Sequence, residues 1–223
     1  MDTLNLFPLY LSFRVASTAT LVGFLFGLPV AWFLSRGRGK AVDFLDTLTN
    51  LPVVLPPTVL GYYLLVLLGR QSPLGAFLED TWGARIVFTP TGAIIASTVV
   101  SIPYLIKAAK TAFLEINEDY LNAARLLGRN EFNIFVTIVM PIAWRGIVAG
   151  TTMSFVRALG DFGTTLMVSG SIPDKTMTMP IAIYDALQAG DKAMANLLVL
   201  IMTGIAVTVL FTINLLERKM RKG

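Results

Sequence analysis

The chain has 223 residues, a formal charge of +4, and neither cysteine nor histidine. Only 14% of its residues are charged and 55% are hydrophobic, with a mean hydropathy of +0.70, whereas a soluble domain keeps about a quarter of its residues charged. A water-soluble globule is excluded on that ground, and disulfides, thiolate metal sites, cysteine nucleophiles and Ser–His pairs are excluded by residue type.

The apolar residues form five blocks, at about 9–35, 44–69, 91–114, 142–168 and 194–216. Each is long enough for the roughly 18–20 residues that cross a bilayer as a helix. Backbone groups in lipid must bond within their own segment, so each block predicts a helix. The short alternating segments of a membrane barrel are not present. With no internal repeat and no linker, residues 1–223 read as one transmembrane domain, an all-α polytopic bundle.

Ahead of the first block, Met1 to Leu6 carries Asp2 and no basic residue, and Arg36, Arg38 and Lys40 follow the block. That order predicts a retained span rather than a cleaved leader. Lysine and arginine set the orientation. Twelve fall on one side: Arg36, Arg38, Lys40, Lys107, Lys110, Arg125, Arg129, Arg145, Arg218, Lys219, Arg221 and Lys222. Four fall on the other, Arg70, Arg85, Lys175 and Lys192, and Arg14 and Arg157 lie within spans. The richer side is cytoplasmic, so the N-terminus is outside and the C-terminus inside. The basic balance is then loop charge and not a nucleic-acid footprint. Arg14 lies near the outer end of its span and can snorkel to the interface.

Block two contains Pro52, Pro56 and Pro57, which break the hydrogen-bond ladder at mid-span. Backbone groups freed at that depth face either protein or a water-filled cavity. Two readings follow: a packing kink, or a half-helix start whose N–H groups, with the Thr58 hydroxyl, favour a passing anion. The loop after block three, about 115–141, is the longest cytoplasmic one. Asn117 can cap a helix there, Glu118 and Asp119 suit its first turn, and Gly128 can end it in the left-handed conformation. Leu121, Ala124 and Leu127 share one face, which predicts a short helix along the membrane surface.

Block four is rich in small and hydroxyl residues. Gly146 and Gly150 have the spacing that lets helices meet closely, within the bundle or at a dimer seam. The hydroxyls of Thr151, Thr152, Ser154, Thr164 and Thr165 are candidates to line a pathway. Arg157 and Asp161 lie deep in this block, four apart and so on one face. An ionisable group at bilayer depth costs about 2.5–3.5 kcal/mol on the insertion scale and finds a partner. Either the two pair and hold a gate, or Arg157 attracts an anion in passing. Tight binding would slow release, which favours the pair. The outer loop at 169–193 carries Asp174, Asp185, Asp191, Lys175 and Lys192, with a short helix at about 180–189. It reads either as a docking face for a soluble partner or as a solvated loop.

Within the cytoplasmic loop stand Asn122-Ala123-Ala124-Arg125-Leu126-Leu127-Gly128 and, after nine residues, Ile138-Val139-Met140-Pro141. This resembles the EAA signature of ABC import permeases: Glu-Ala-Ala, three residues, Gly, nine residues, Ile-x-Leu-Pro. Asn122 stands for the Glu and Met140 for the Leu. The resemblance implies a coupling helix that docks on a separate ATP-hydrolysing subunit through Asn122, Ala123, Ala124, Arg125, Gly128, Ile138 and Pro141. Small residues let another surface approach the backbone, Gly128 permits a sharp turn, and Pro141 can start or kink the next span. The nearest string to a P-loop, Arg36-Gly37-Arg38-Gly39-Lys40-Ala41, has the wrong spacing and lacks the hydroxyl. ATP and magnesium therefore belong to the partner. This chain is expected to bind no cofactor or metal and to do no covalent chemistry.

Three further stretches resemble molybdate permeases: Asn50 to Tyr62 with Pro56-Pro57-Thr58, Ser154 to Gly163 with Arg157, Asp161 and Gly163, and Ile172 to Pro180 ahead of Tyr184. Asp161 stands where that family often has Glu. Sulfate and tungstate permeases are close relatives of the family. The resemblance implies the type I ABC importer architecture in a bacterial or archaeal cytoplasmic membrane. It implies a homodimer with the pathway at its interface, two ATPase subunits inside and a substrate-binding protein outside. Pro56, Pro57, Thr58, Arg157, Asp161, Gly163 and Thr164 are then pathway or gate residues. A secondary transporter would lead one to expect inverted repeats and a chain of midplane carboxylates, and a membrane enzyme a clustered dyad. Neither pattern is present.

Overall fold

The computed structural model describes residues 5–220. Asp2, Arg221 and Lys222 lie outside the described residues, as do the side chains of Arg218 and Lys219. Among the described residues every regular element is helical.

Helix α1 (Phe7–Arg36) starts at a proline-bearing first turn and buries Leu11, Val15, Ala19, Gly23, Gly27 and Ala31 along one stripe. The stripe is small because it meets α5 (Pro90–Leu114) closely: a Cβ on Gly27 would stand 3.0 Å from Leu105. Without a hydrophobic drive between helices in lipid, such close packing is what holds them together. α5 is the central helix, flanked on its other side by α8 (Met140–Leu159). Gly146 and Gly150 serve that contact. A Cβ on Gly146 would stand 2.5 Å from that of Ala112, and one on Gly150 2.8 Å from that of Ala108. The glycine pair is therefore intrachain bundle packing and not a dimer seam. The long C-terminal α11 (Lys192–Met220) is peripheral, and among the described residues four helices are long and apolar enough to span by themselves.

The second predicted span is not one helix. α2 (Lys40–Val54) and α3 (Pro57–Leu68) meet at 114°. Pro52, expected to break the ladder, sits inside α2 without interrupting it; the break falls at Leu55–Pro56. Two adjacent prolines remove successive donors and force Leu55 into the extended region, φ −71° and ψ 139°. The pair counts as a fifth, broken span.

The fourth span differs too. Its helix continues back out of the apolar block into the cytoplasmic loop, through a π-helical turn at Phe135–Val139 to α7 (Glu131–Ile134), whose Glu131 lies outside the span. Pro141 has no N–H to return to the carbonyl four residues back, and its ring crowds that carbonyl, so the ladder upstream widens by one residue. The span ends early, at Leu159, and resumes as α9 (Gly163–Ser169). Gly160 and Gly163 flank the break, and Asp161 supplies its polar anchor. The remaining elements are α4 (Pro73–Trp82) outside, α6 (Glu118–Leu126) inside and α10 (Met179–Gln188) outside.

Candidate functional site: a coupling lobe and a broken-helix gate

The cytoplasmic lobe is built from its caps. Asn117 Oδ1 accepts the Asp119 N–H at 2.9 Å, with Glu118 and Asp119 in the first turn of α6. At the other end Gly128 adopts φ +77°. Its N–H donates to the Arg125 carbonyl at 2.9 Å, and the Arg129 N–H donates to that of Ala124 at 3.1 Å. This double bond pattern closes a helix on a left-handed residue, the state glycine adopts without penalty. Asn130 then caps α7 by accepting the Asn133 N–H at 2.8 Å.

Arg125 clamps the two helices across the turn. Its Nε and Nη2 donate to the two Glu131 oxygens at 2.6 and 3.2 Å, and its Nη1 donates to Asn122 Oδ1 at 2.9 Å. Hydrogen bonding from Arg125 holds the Glu131 carboxyl below the usual carboxylate range, and the same bond raises Arg125. An amide at 122 accepts from Arg125 as a carboxylate would, which accounts for Asn122 standing in the place of Glu.

Of the coupling residues expected from the motif, Ala123 is exposed and Ala124 is buried with Leu121. Leu127, expected on their face, points away instead: it is 82% exposed and Leu126 is 89% exposed. The left-handed turn at Gly128 ends the helical register before Leu127 can join the buried face. Tyr120, Ala123, Leu127, Ile138 and Ile142 line a shallow cleft of about 520 Å³. Pro141 is exposed at the head of α8. Phe132 is exposed as well, and no pattern in the motif's variable positions marks Leu126, Leu127 or Phe132.

The lobe is wired to the spans. Trp32 of α1 stacks edge-on against Phe113 of α5 and Phe135 of the π-turn, both at 5.3 Å between ring centroids. Arg36 lies 4.6 Å over the Trp32 ring and reaches Glu118 of α6 at 3.3 Å.

The second region joins α3 to α9. A Cβ on Gly61 would stand 2.7 Å from Met167 Cβ, and one on Gly163 would stand 3.2 Å from Pro57. Thr164 Oγ1 donates to the Pro57 carbonyl at 3.1 Å. That carbonyl belongs to the first residue of α3, and Thr164 is fully buried. Thr164 thus clamps the two broken spans together and is not exposed on this subunit. Pro56, Pro57 and Thr58 are exposed on the subunit's outside, as are Tyr62 and Tyr63.

Arg157 and Asp161 do meet, Nη1 to Oδ1 at 3.3 Å, but across the end of α8 and not along one helix face. The Asp161 side chain is 1% exposed and that of Arg157 26%. The shorter bonds of Asp161 go elsewhere: Oδ2 accepts the Thr165 N–H at 3.0 Å and the Thr165 hydroxyl at 2.7 Å. Thr165 Oγ1 also lies 3.3 Å from Ser97 Oγ of α5. A buried polar chain therefore fixes the start of α9 to the central helix.

The outer loop at 169–193 is built and not a plain solvated coil. Ser171 hydrogen-bonds to Asp185, Asn5 donates to Asp174 at 2.7 Å, and Phe162 packs on Tyr184 of α10. No cluster of His, Cys, Asp and Glu suited to a metal occurs among the described residues.

Residues 23–222 match the family of binding-protein-dependent transport system inner membrane components. The molybdenum transport system permease protein ModB of Escherichia coli strain K12 is 38% identical over 192 residues, covering 85% of this chain and 84% of that one. ModB of Azotobacter vinelandii is 34% identical, covering 86% and 85%. A probable sulfate transport system permease protein of Chlorella vulgaris is 33% identical, covering 92% and 76%. Among solved structures, the inward-facing MetNI methionine ABC transporter superposes with a TM-score of 0.72 at 19% identity, covering 95% and 94%. A bacterial ABC transporter that imports alginate gives 0.73 at 14%, covering 94% and 79%. At such identities these structures speak to the fold alone.

Proposed function

Because the chain belongs to the binding-protein-dependent transport system inner membrane components, we propose that two copies of it form the pathway by which an ATP-driven importer carries molybdate. Its family makes it a permease and not an enzyme. The observation that carries the proposal is the coupling lobe. Leu126 and Leu127 are presented almost fully exposed on a rigid, doubly capped turn. Exposed apolar residues held on a rigid turn fit a partner surface better than water.

Each lobe docks into an ATPase subunit, and closure of the ATPase pair on ATP moves α6 and α7 together through the Arg125 clamp. The movement passes to α1 by Arg36 and Trp32, to α5 by Phe113, and to α8 by the continuous helix. At the far end of α8 it reaches the break at 160–162 and, through Thr164, the start of α3. The exposed elbow at Pro56–Thr58 faces a second copy across the pathway, and an external binding protein delivers the anion. Arg157 balances Asp161, so no unpaired cation traps the oxyanion. Molybdenum permeases similar over most of their length support molybdate as the cargo, and sulfate is the second reading because a sulfate permease is among the relatives.

The test is uptake of labelled molybdate by cells lacking their own transporter and carrying this chain with its cognate ATPase and binding protein. Uptake that needs an intact ATPase and is blocked by tungstate but not by excess sulfate is the expected result. Blocking by sulfate changes the cargo. No uptake, with the ATPase bound to folded permease, removes the oxyanion altogether.

A further inference from the structure

The outer end of the fold carries a cleft that neither the lobe nor the gate uses. It lies between the end of α3, α4 and residues 84–88 and encloses about 760 Å³. Leu65, Val66, Ile86, Val87 and Phe88 give it an apolar body. Its rim is cationic. Arg70 and Arg85 both turn Nε toward Glu79, at 3.3 and 2.8 Å. One carboxylate thus holds two guanidiniums, leaving the rim with a net positive charge. Their Nη groups have no protein partner among the described residues, and the two side chains are 78% and 70% exposed while Glu79 is 16% exposed.

The cleft's walls are fixed. Gly75 of α4 sits so near the Gly69 carbonyl that no Cβ would fit. Phe88 is held at φ +59°, with its N–H donating to the Val168 carbonyl at 3.0 Å. The positive-inside rule places the cleft at the outer membrane boundary, and Phe77, Trp82 and Phe88 are exposed beside it, as aromatic residues are at a bilayer interface.

An apolar body, a cationic mouth and an interfacial position fit one kind of occupant. We infer that the cleft binds a phospholipid with an anionic headgroup from the outer leaflet. Its phosphate engages Arg70 and Arg85, and its upper acyl chain lies along Leu65 and Val66. Guanidinium forks match phosphate geometry, and Glu79 holds both in place before the lipid arrives. A soluble oxyanion needs no apolar body, so the site is independent of the proposed cargo.

The test is native mass spectrometry of the full-length permease with its partner subunits, extracted in mild detergent. Phosphatidylglycerol, phosphatidylcholine, inorganic phosphate and molybdate are added in separate arms. Phosphatidylglycerol is expected to stay bound and phosphatidylcholine to be lost. A basic residue near an anionic lipid changes occupancy about fivefold, so Arg70→Gln with Arg85→Gln lowers phosphatidylglycerol retention about 25-fold. Arg70→Gln alone, at a well-exposed position, lowers it about fivefold and serves if the double variant does not fold. Equal retention by the wild type and the arginine variants overturns the inference. So does arginine-dependent binding of inorganic phosphate or molybdate without lipid, which marks a soluble-anion site. Loss of the second permease copy in the double variant also overturns it, by showing that another copy covers the cleft.

Discussion

Replacing Asp161 with alanine asks what the carboxylate at the break in span four is for. It makes three contacts: the Thr165 N–H at 3.0 Å, the Thr165 hydroxyl at 2.7 Å and Arg157 at 3.3 Å. Hydrogen bonds to a charged group contribute about 1.5–3 kcal/mol each in soluble proteins, and side-chain bonds within membranes average about 0.6 with a ceiling near 1.7. The two Thr165 bonds together then contribute about 2–3 kcal/mol, since one lies with the backbone and both are buried. The Arg157 contact is longer and a quarter exposed, and adds less than about 1 kcal/mol. Asp161→Ala is expected to cost about 3 kcal/mol, Asp161→Asn, which keeps an acceptor oxygen, about 1, and Arg157→Gln less than 1. Unfolding of the purified permease in mixed micelles with rising sodium dodecyl sulfate reads these losses, and double-mutant cycles divide them. Coupling of Asp161→Ala with Thr165→Val should reach about 1 kcal/mol and exceed its coupling with Arg157→Gln. A larger coupling to Arg157 would refute the assignment and return Asp161 to the role of an ion-pair gate.

Four other outcomes can be checked. Gly146→Val and Gly150→Ala should each cost about 1–3 kcal/mol by overpacking α8 on α5, while Gly204→Ala, mid-helix with open space around it, leaves stability unchanged or raises it by up to about 1 kcal/mol. Gly128→Val forces a β-branched residue to φ +77°, which costs about 1–2 kcal/mol, and co-purification of the ATPase should fall while the spans unfold as before. Leu126→Asp with Leu127→Asp should leave stability intact and weaken ATPase co-purification about tenfold or more. The Glu131 carboxyl is depressed by its bond from Arg125, so the clamp is fully present above the ordinary carboxylate range and is lost only as pH falls through the lowered value. ATPase stimulation by the permease should therefore not weaken through this pair between neutral and mildly acidic pH, whereas Glu131→Gln weakens it throughout.

Much of the architecture is legible in the chain because lipid leaves few options. Long apolar blocks must be helices, and the positions of Arg36, Arg125 and Arg129 decide which loops are inside. Gly128 is readable as a left-handed helix end because nothing else in the loop tolerates that conformation so well. What escapes is where helices stop inside an apolar block. Leu159 and Leu166 look alike in sequence, and only Asp161 bonding forward to Thr165 marks the boundary between them. Pro52 and Pro56 look equally disruptive, yet α2 absorbs the first. A lone proline strains one residue and removes one bond, whereas in Pro56-Pro57 the second ring also acts on the first, so Leu55 and Pro56 both leave the helical region, at ψ 139° and 137°. Leu127 shows a further limit, since face assignments assume that the helix continues.

The π-turn at Phe135–Val139 has a rotational consequence. The Met140 N–H reaches back five residues to the Phe135 carbonyl, one more than an α-turn takes. One residue of an α-helix is about 100° of azimuth. The wide turn takes up that residue and so preserves the direction in which the coupling lobe projects from the shaft of α8. Deleting one residue between 136 and 139 lets the ladder close as an ordinary α-turn with the lobe's aim kept, whereas inserting one there swings Leu126 and Leu127 a quarter-turn or more away and pulls Glu118 from Arg36. The nine residues between Gly128 and Ile138 are then a setting of angle as much as of length. A permease with that count lengthened by one would assemble its lobe and present it to the wrong quarter of the cytoplasm.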